Sequence, residues 1–198
     1  APLLVSALMY TNPMMIYFGQ ELGEKGMDAE GFSGEDGRTT IFDYWTVDTI
    51  RRWRNNGKFD QKLLTEDELS LQEYYAKVLN ICNSSEAVRE GEFYDLMYVN
   101  PQLQKQYTFV RHSEKETLLV IANFASQDTE ITINVPEHLF EYYGIKENTA
   151  CEWTDLLSGS QITTAFSSNM PTKLNVPSWG GCILKMKSVK KAGKKTKS

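Results

Sequence analysis

Residues 14–21 read MMIYFGQE: a short apolar run that breaks at Gly19 and then presents an amide, Gln20, and a carboxylate, Glu21. The run is apolar without alternation, the pattern of a strand covered on both faces in a parallel sheet, and it delivers polar groups at its C-terminal end. Before it, residues 1–11 place Leu3, Leu4, Ala7 and Leu8 on one helical face, and Asn12-Pro13 stops that helix. Helix, short turn and buried strand make an α/β rhythm. The neighbours such a strand requires are not evident elsewhere in the chain.

From Gln20 to Tyr44 the sequence becomes glycine-rich and acidic, with Gly23, Gly26, Gly31, Gly34 and Gly37 among carboxylates. A long loop after a strand is more often functional than idle. Thr46 is placed to cap a short helix through about Asn55, with Gly57 as a left-handed stop. Thr65-Glu66-Asp67-Glu68 is a capping box, and Leu71, Tyr74, Tyr75, Val78, Leu79 and Cys82 then recur at helical spacing. After Gly91 the period shortens to that of strands. The runs QYTFVRH, TLLVIANF, TEITINV, ACEWTDLLSG and GGCILKMK, separated by turn material, predict an antiparallel β-sandwich of about a hundred residues.

Composition narrows the function classes. With 198 residues, 41% of them hydrophobic, the chain can build one large domain or two small ones. No apolar run reaches the roughly 20 residues that span a bilayer, so a membrane is not expected as a partner. The N-terminus lacks the pattern of a signal peptide, and its opening in mid-pattern reads as a truncated start, so the compartment stays unassigned. The net charge of −5 hides a basic end, because residues 188–198 hold five lysines and no acid and the rest stands five charges lower, at −10. An acidic body argues against nucleic acid, and the tail reads as a solvated, disordered end. Cys82, Cys151 and Cys182 form no CxxC pair; free buried thiols are expected, with a Cys151–Cys182 disulfide as the alternative.

Motifs of defined chemistry are scarce. GEDGRTT lacks the ending of a phosphate-binding loop, and residues 28–33, DAEGFS, fail the spacing of a calcium-binding EF-hand, so no metal site or cofactor is assigned. His112 and His138 lie in unrelated settings and read as surface or packing residues. What remains is carboxylates: Glu21, Asp28, Glu30, Glu35, Asp36 and Asp43 follow the strand end, the side on which a parallel barrel builds its active site. Phe32, Tyr44, Trp45, Trp53 and Trp179 are rings that either stack on sugars or pack.

Taken together, these pieces resemble the end of the α-amylase family of glycoside hydrolases, family 13. The family's last barrel strand is similar to Pro13-Met14-Met15-Ile16-Tyr17-Phe18-Gly19-Gln20-Glu21-Leu22-Gly23, and its last loop to Asp36-Gly37-Arg38-Thr39-Thr40-Ile41-Phe42-Asp43-Tyr44-Trp45. Residues 79–91, running into AVREGEF, resemble its closing helix, and YTFVRH and LLVIANF the first strands of its C-terminal domain. The resemblance implies three parts: residues 1–90 as the incomplete end of a (β/α)8 TIM barrel, 91–187 as a C-terminal β-sandwich, and 188–198 as a basic tail. It implies an α-glucan oligosaccharide or polysaccharide and the remainder of the barrel as partners, and a retaining glycosidase as the parent protein. The catalytic carboxylates would lie upstream of Ala1, so no catalytic residue is assigned here. Gln20, Glu21, Asp36 and Arg38 are implied as substrate-binding residues at one wall of the cleft. Gln20 stands where the family more often has aspartate, and Arg38 could instead form a structural ion pair. Calcium occurs in the family without a site in this chain. The competing readings are a carbohydrate-binding sandwich with exposed aromatics on one face, a purely structural module, and an independent enzyme using the acidic loop.

Overall fold

The computed structural model describes residues 1–24 and 47–187, which separate into two compact units. One comprises Ala1–Asn12 with Ile81–Ser198, the other Pro13–Asn80. The glycine-rich loop with Asp36 and Arg38, the rings of Phe32, Tyr44 and Trp45, the cap at Thr46 and the lysine tail lie outside the described residues.

In the first unit, α1 (Pro2–Leu8) and α4 (Glu86–Arg89) accompany eight strands: β1 (Glu92–Asp95), β2 (Gln106–His112), β3 (Thr117–Asn123), β4 (Thr129–Ile133), β5 (Asn148–Asp155), β6 (Gln161–Phe166), β7 (Thr172–Val176) and β8 (Gly181–Met186), with α5 (Glu137–Tyr143) between β4 and β5. Six strands form one antiparallel sheet in the order β1-β2-β3-β8-β5-β6, and β4 pairs with β7 in a second. Val110, Leu119, Ile121, Leu184 and Trp153 of the large sheet meet Ile131, Ile133, Leu174 and Val176 of the small one, with Leu139 and Phe140 of α5 closing the core. Phe166 sits at its centre, edge-on to Trp153 (5.1 Å, 88°) and to Phe140 (5.1 Å, 69°), an arrangement favoured by the ring quadrupoles.

Every residue of β3 is buried. One face looks into this core, and the other is covered by α1, whose Leu3, Leu4, Ala7 and Leu8 are buried as their helical spacing requires. An unalternating apolar run therefore marks an antiparallel strand covered on both sides. Residues 14–18 are the correction to that rule. Their exposure alternates, with Met15 81% exposed, and they join no strand ladder among the described residues. A parallel strand draws its hydrogen bonds from neighbouring strands, and among the described residues no strand pairs with 14–18.

Strands β2, β3, β4 and β8 lie where the strand runs of the sequence place them, and β5 starts two residues earlier. Four elements were not legible as such: the four-residue β1, the strands β6 and β7, whose Gln, Thr, Lys and Asn dilute the pattern, and the seven-residue α5. All three cysteines are free thiols, which removes the disulfide alternative. Burial pushes Cys82 and Cys151 up to about 11 and Cys182 to about 12.

A buried carboxylate ties the β2–β3 hairpin to α4 and β8. Glu116 accepts from Ser85 Oγ (2.5 Å) and Ala87 N (3.0 Å) and faces Lys185 Nζ at 2.6 Å. Burial alone would raise its pKa; the Lys185 ammonium and these donors outweigh burial and hold it below its ordinary 4.5. Its stabilisation is thus complete above that ordinary value and is lost as pH falls through the lower folded one. Lys185 is half exposed and its share is screened, so we expect Glu116→Gln to cost about 1 kcal/mol at neutral pH. Urea midpoints should show that gap closing in acid; an equal gap at both pH values contradicts this account.

In the second unit, α2 (Asp48–Arg54) turns at Asn55, already left-handed at φ 39°, before Gly57, and α3 (Glu66–Ser84) follows. The capping box forms as read: Thr65 Oγ1 accepts from Glu68 N (3.2 Å), and Glu68 Oε2 from Thr65 N (2.9 Å). The same carboxylate takes a fork from Arg52, Nε to Oε1 and Oε2 at 3.1 and 3.0 Å and Nη2 to Oε1 at 2.5 Å. That bond holds the Glu68 pKa down and raises Arg52's. Of the six apolar-stripe residues of α3, Val78 alone is fully buried.

Candidate functional site

Chain geometry at the end of residues 14–18 follows from Gly19. Its φ of +71° is left-handed, and a Cβ there would lie 2.7 Å from Glu24 Cβ, so only glycine fits. The chain then makes one 3-10 turn, Gln20–Leu22, and drops Leu22 into a small core with Val47 and Ile50. Gln20 points outward, and its amide is engaged within the unit: Oε1 accepts from Tyr17 N (3.1 Å) and Nε2 donates to Tyr75 Oη (2.9 Å). It braces the turn against α3. Glu21 is half-buried and borders a groove of about 380 Å³, lined among the described residues by Ile16, Tyr17, Phe18, Gly19, Glu21, Ile50, Trp53 and Arg54. Trp53 both lines this groove and packs on the core, edge-on to Phe59 at 5.0 Å.

Of the four residues implied by the resemblance, Gln20 and Glu21 are neighbours on one turn, Glu21 on the groove and Gln20 bonded away from it; Asp36 and Arg38 lie outside the described residues. A second groove, about 480 Å³, holds Asp48, Arg51, Arg52 and Arg54, but its charges are committed, Arg52 to Glu68 and Arg51 to Asp48 at 3.7 Å. Among the described residues no group of three His, Cys, Asp or Glu side chains could hold a metal ion, and no helix is long and apolar enough to cross a membrane.

A different surface escaped the reading of the sequence. On the β1 edge of the first unit, Tyr94 is ringed by Tyr98, His138, Tyr142 and Tyr143, with centroids 6.0–6.4 Å from its own. Tyr94 Oη is hydrogen-bonded to Tyr98 Oη (2.9 Å) and to His138 Nδ1 (3.0 Å). Tyr98 is 62% and Tyr142 57% exposed. The signal was present as one i, i+4 pair, His138 with Tyr142, which registers only once α5 is known to be a helix; Tyr94 and Tyr98 meet where β1 runs into a 3-10 turn, where helical spacing does not apply. Trp179 is 63% exposed on a left-handed turn (φ 53°) between β7 and β8.

Mostly antiparallel sheet with a few helices, the chain has the fold of the C-terminal region of α-amylases of glycoside hydrolase family 13. An Anoxybacillus α-amylase superposes with a TM-score of 0.53 at 17% identity, over 96% of this chain and 32% of that one. AmyP, solved in complex with maltose, gives 0.59 at 15% identity over 92% of this chain and 33% of its own. A mutant of the trehalulose synthase MutB gives 0.54 at 16% identity over 93% and 38%. The chain thus spans about a third of the length of the proteins it matches, and what it shares with them is fold. No family model matches it, nor does any curated protein.

Proposed function

We propose that this chain is the C-terminal part of a retaining, α-glucan-active glycosidase. In this reading residues 1–90 end a (β/α)8 barrel, with 14–18 as its closing strand, 91–187 form the C-terminal β-sandwich, and 188–198 a basic tail. The observation that carries the reading is the match to α-amylase structures over more than nine-tenths of this chain and a third of theirs. The bound maltose of AmyP supports it as well.

Retaining glycoside hydrolysis needs two carboxyl groups roughly 5 Å apart, one protonating the leaving oxygen and one forming the glycosyl-enzyme bond. In this reading both precede Ala1. Residues of this chain position sugar: Glu21 with Asp36 and Arg38 border one wall of the cleft, and Gln20 holds the turn that presents Glu21. Nucleic acid and membrane have no part in it, consistent with the acidic body of the chain.

The 198-residue chain alone should release no reducing ends from soluble starch, whereas a longer protein containing it should do so with retention of the α-anomer, read by proton NMR. In that protein Arg38→Ala should lower kcat/KM by about tenfold or more while leaving the melting temperature unchanged. Inversion of the anomer, or no action on α-glucans, sinks the proposal.

A further inference from the structure

The exposed tyrosines of the β1 edge are not used by the cleft. Strand register sets their face: Tyr94 lies opposite Val110 and Glu92 opposite His112, while Phe93 lies opposite Arg111. Side chains alternate across a strand, so Tyr94 and Glu92 share one face and Arg111 takes the other. The Arg111 face is the one occupied by the ends of α1 and α4, to whose carbonyls its guanidinium donates. The tyrosine surface therefore looks away from both helices.

Its chemistry is that of a neutral polyol site. The exposed side chains are flat rings rather than aliphatic groups, and each ring carries or adjoins a polar handle: the Tyr94–Tyr98 hydroxyl pair, the His138 imidazole, and the Glu92 carboxylate beside Tyr142. Arg111 lies close enough to act on Tyr143, but its guanidinium is committed to four backbone carbonyls, so it does not make the cluster an anion site. A pyranose offers the complement, an apolar C–H face that lies on a ring and equatorial hydroxyls that reach the handles. The rings are not coplanar. Those of Tyr98 and Tyr142 are tilted by 44° and 54° to Tyr94, each at a centroid distance of 6.4 Å from it.

We infer that Tyr98 and Tyr142, held around Tyr94 and His138, form a second α-glucan-binding surface on this chain, separate from the cleft wall. The choice of an α-glucan rests on the glycosidase reading above; the surface itself rests on the ring geometry. The probes are amylopectin in native gels and maltoheptaose titrated by calorimetry, applied to the 198-residue chain. Amylopectin should retard the parent chain, and the Tyr98→Ala/Tyr142→Ala pair should weaken binding by about tenfold or more, whereas Tyr98→Phe/Tyr142→Phe, which keeps both rings, should stay within about threefold. Amylopectin binding that survives the alanine pair overturns the surface and leaves the glycosidase reading standing. Retardation by a β-glucan in place of amylopectin, lost in the alanine pair, overturns the α-glucan assignment and counts against the glycosidase reading. No retardation by either also overturns the surface, and the starch assay on the longer protein then judges the enzyme separately.

Discussion

Replacing Arg111 by methionine should destabilise the first unit by about 4 kcal/mol, a larger effect than at any other polar residue described. The side chain is only 2% exposed and faces no carboxylate; it is held by four backbone carbonyls. Nε donates to Ala87 O (3.0 Å), Nη1 to Met9 O (2.9 Å), and Nη2 to Val88 O (3.0 Å) and Gly91 O (2.7 Å). These carbonyls belong to the ends of α1 and α4, where a helix leaves its last acceptors unpaired and carries partial negative charge. One guanidinium thus terminates two short helices and pins both to β2. Burial works against it, lowering its pKa, and the interior carbonyls must compensate. Methionine fills much of the volume and satisfies none of the acceptors. Lysine keeps the charge but has no planar fork, so Arg111→Lys should recover less than half of the loss. Urea unfolding followed by tryptophan fluorescence gives the magnitude, and hydrogen exchange should show α1 losing protection first. A methionine variant within about 1 kcal/mol of the parent would mean that the four contacts are not what holds these helices.

Gly181→Ala should be nearly as costly, about 3 kcal/mol or more, although it adds a single methyl group. Gly181 opens β8 opposite Ala122 of β3, and a Cβ there would lie 2.1 Å from the carbonyl oxygen of Ile121 and 2.5 Å from Leu4 Cδ1. The leucine end can swing aside. The carbonyl cannot, because it belongs to a central strand paired on both sides, and moving it separates β3 from β8. Adding Leu4→Ala should therefore give no rescue, which distinguishes backbone collision from crowding in the α1 layer. Thermal unfolding of the three variants decides the matter; a double variant more stable than Gly181→Ala would place the conflict at Leu4 instead.

Both effects bear on function through α1, which Arg111 caps and Leu4 seats on β3. In the proposed parent enzyme α1 belongs to the barrel and β3 to the C-terminal domain, so these two residues join the parts. Loss of activity in the longer protein on Arg111→Met should appear as a lowered half-life on heating rather than a changed KM, because no substrate contact is involved.

Local chemistry made the elements of this chain legible. Thr65 and Glu68 are three residues apart and close their capping box wherever the helix is placed; the i, i+3, i+4 stripe of α1 and the strand runs of β2, β3, β4 and β8 are equally short-range patterns. Gly19 announces the end of the extended run because its left-handed turn tolerates no side chain. Long-range packing decided everything else. Whether an apolar run becomes a strand depends on what lies beside it: TLLVIAN is enclosed by the core and by α1, whereas MMIYF, just as apolar, joins no ladder among the described residues. Arg111 looks like an ordinary strand arginine until residues 20 to 102 positions away bring their carbonyls to it. The tyrosine surface, likewise, is assembled from β1, the turn that follows it and α5, separated by some forty residues, because ring contacts depend on distance in space and the packing of α5 into the core brings those segments together.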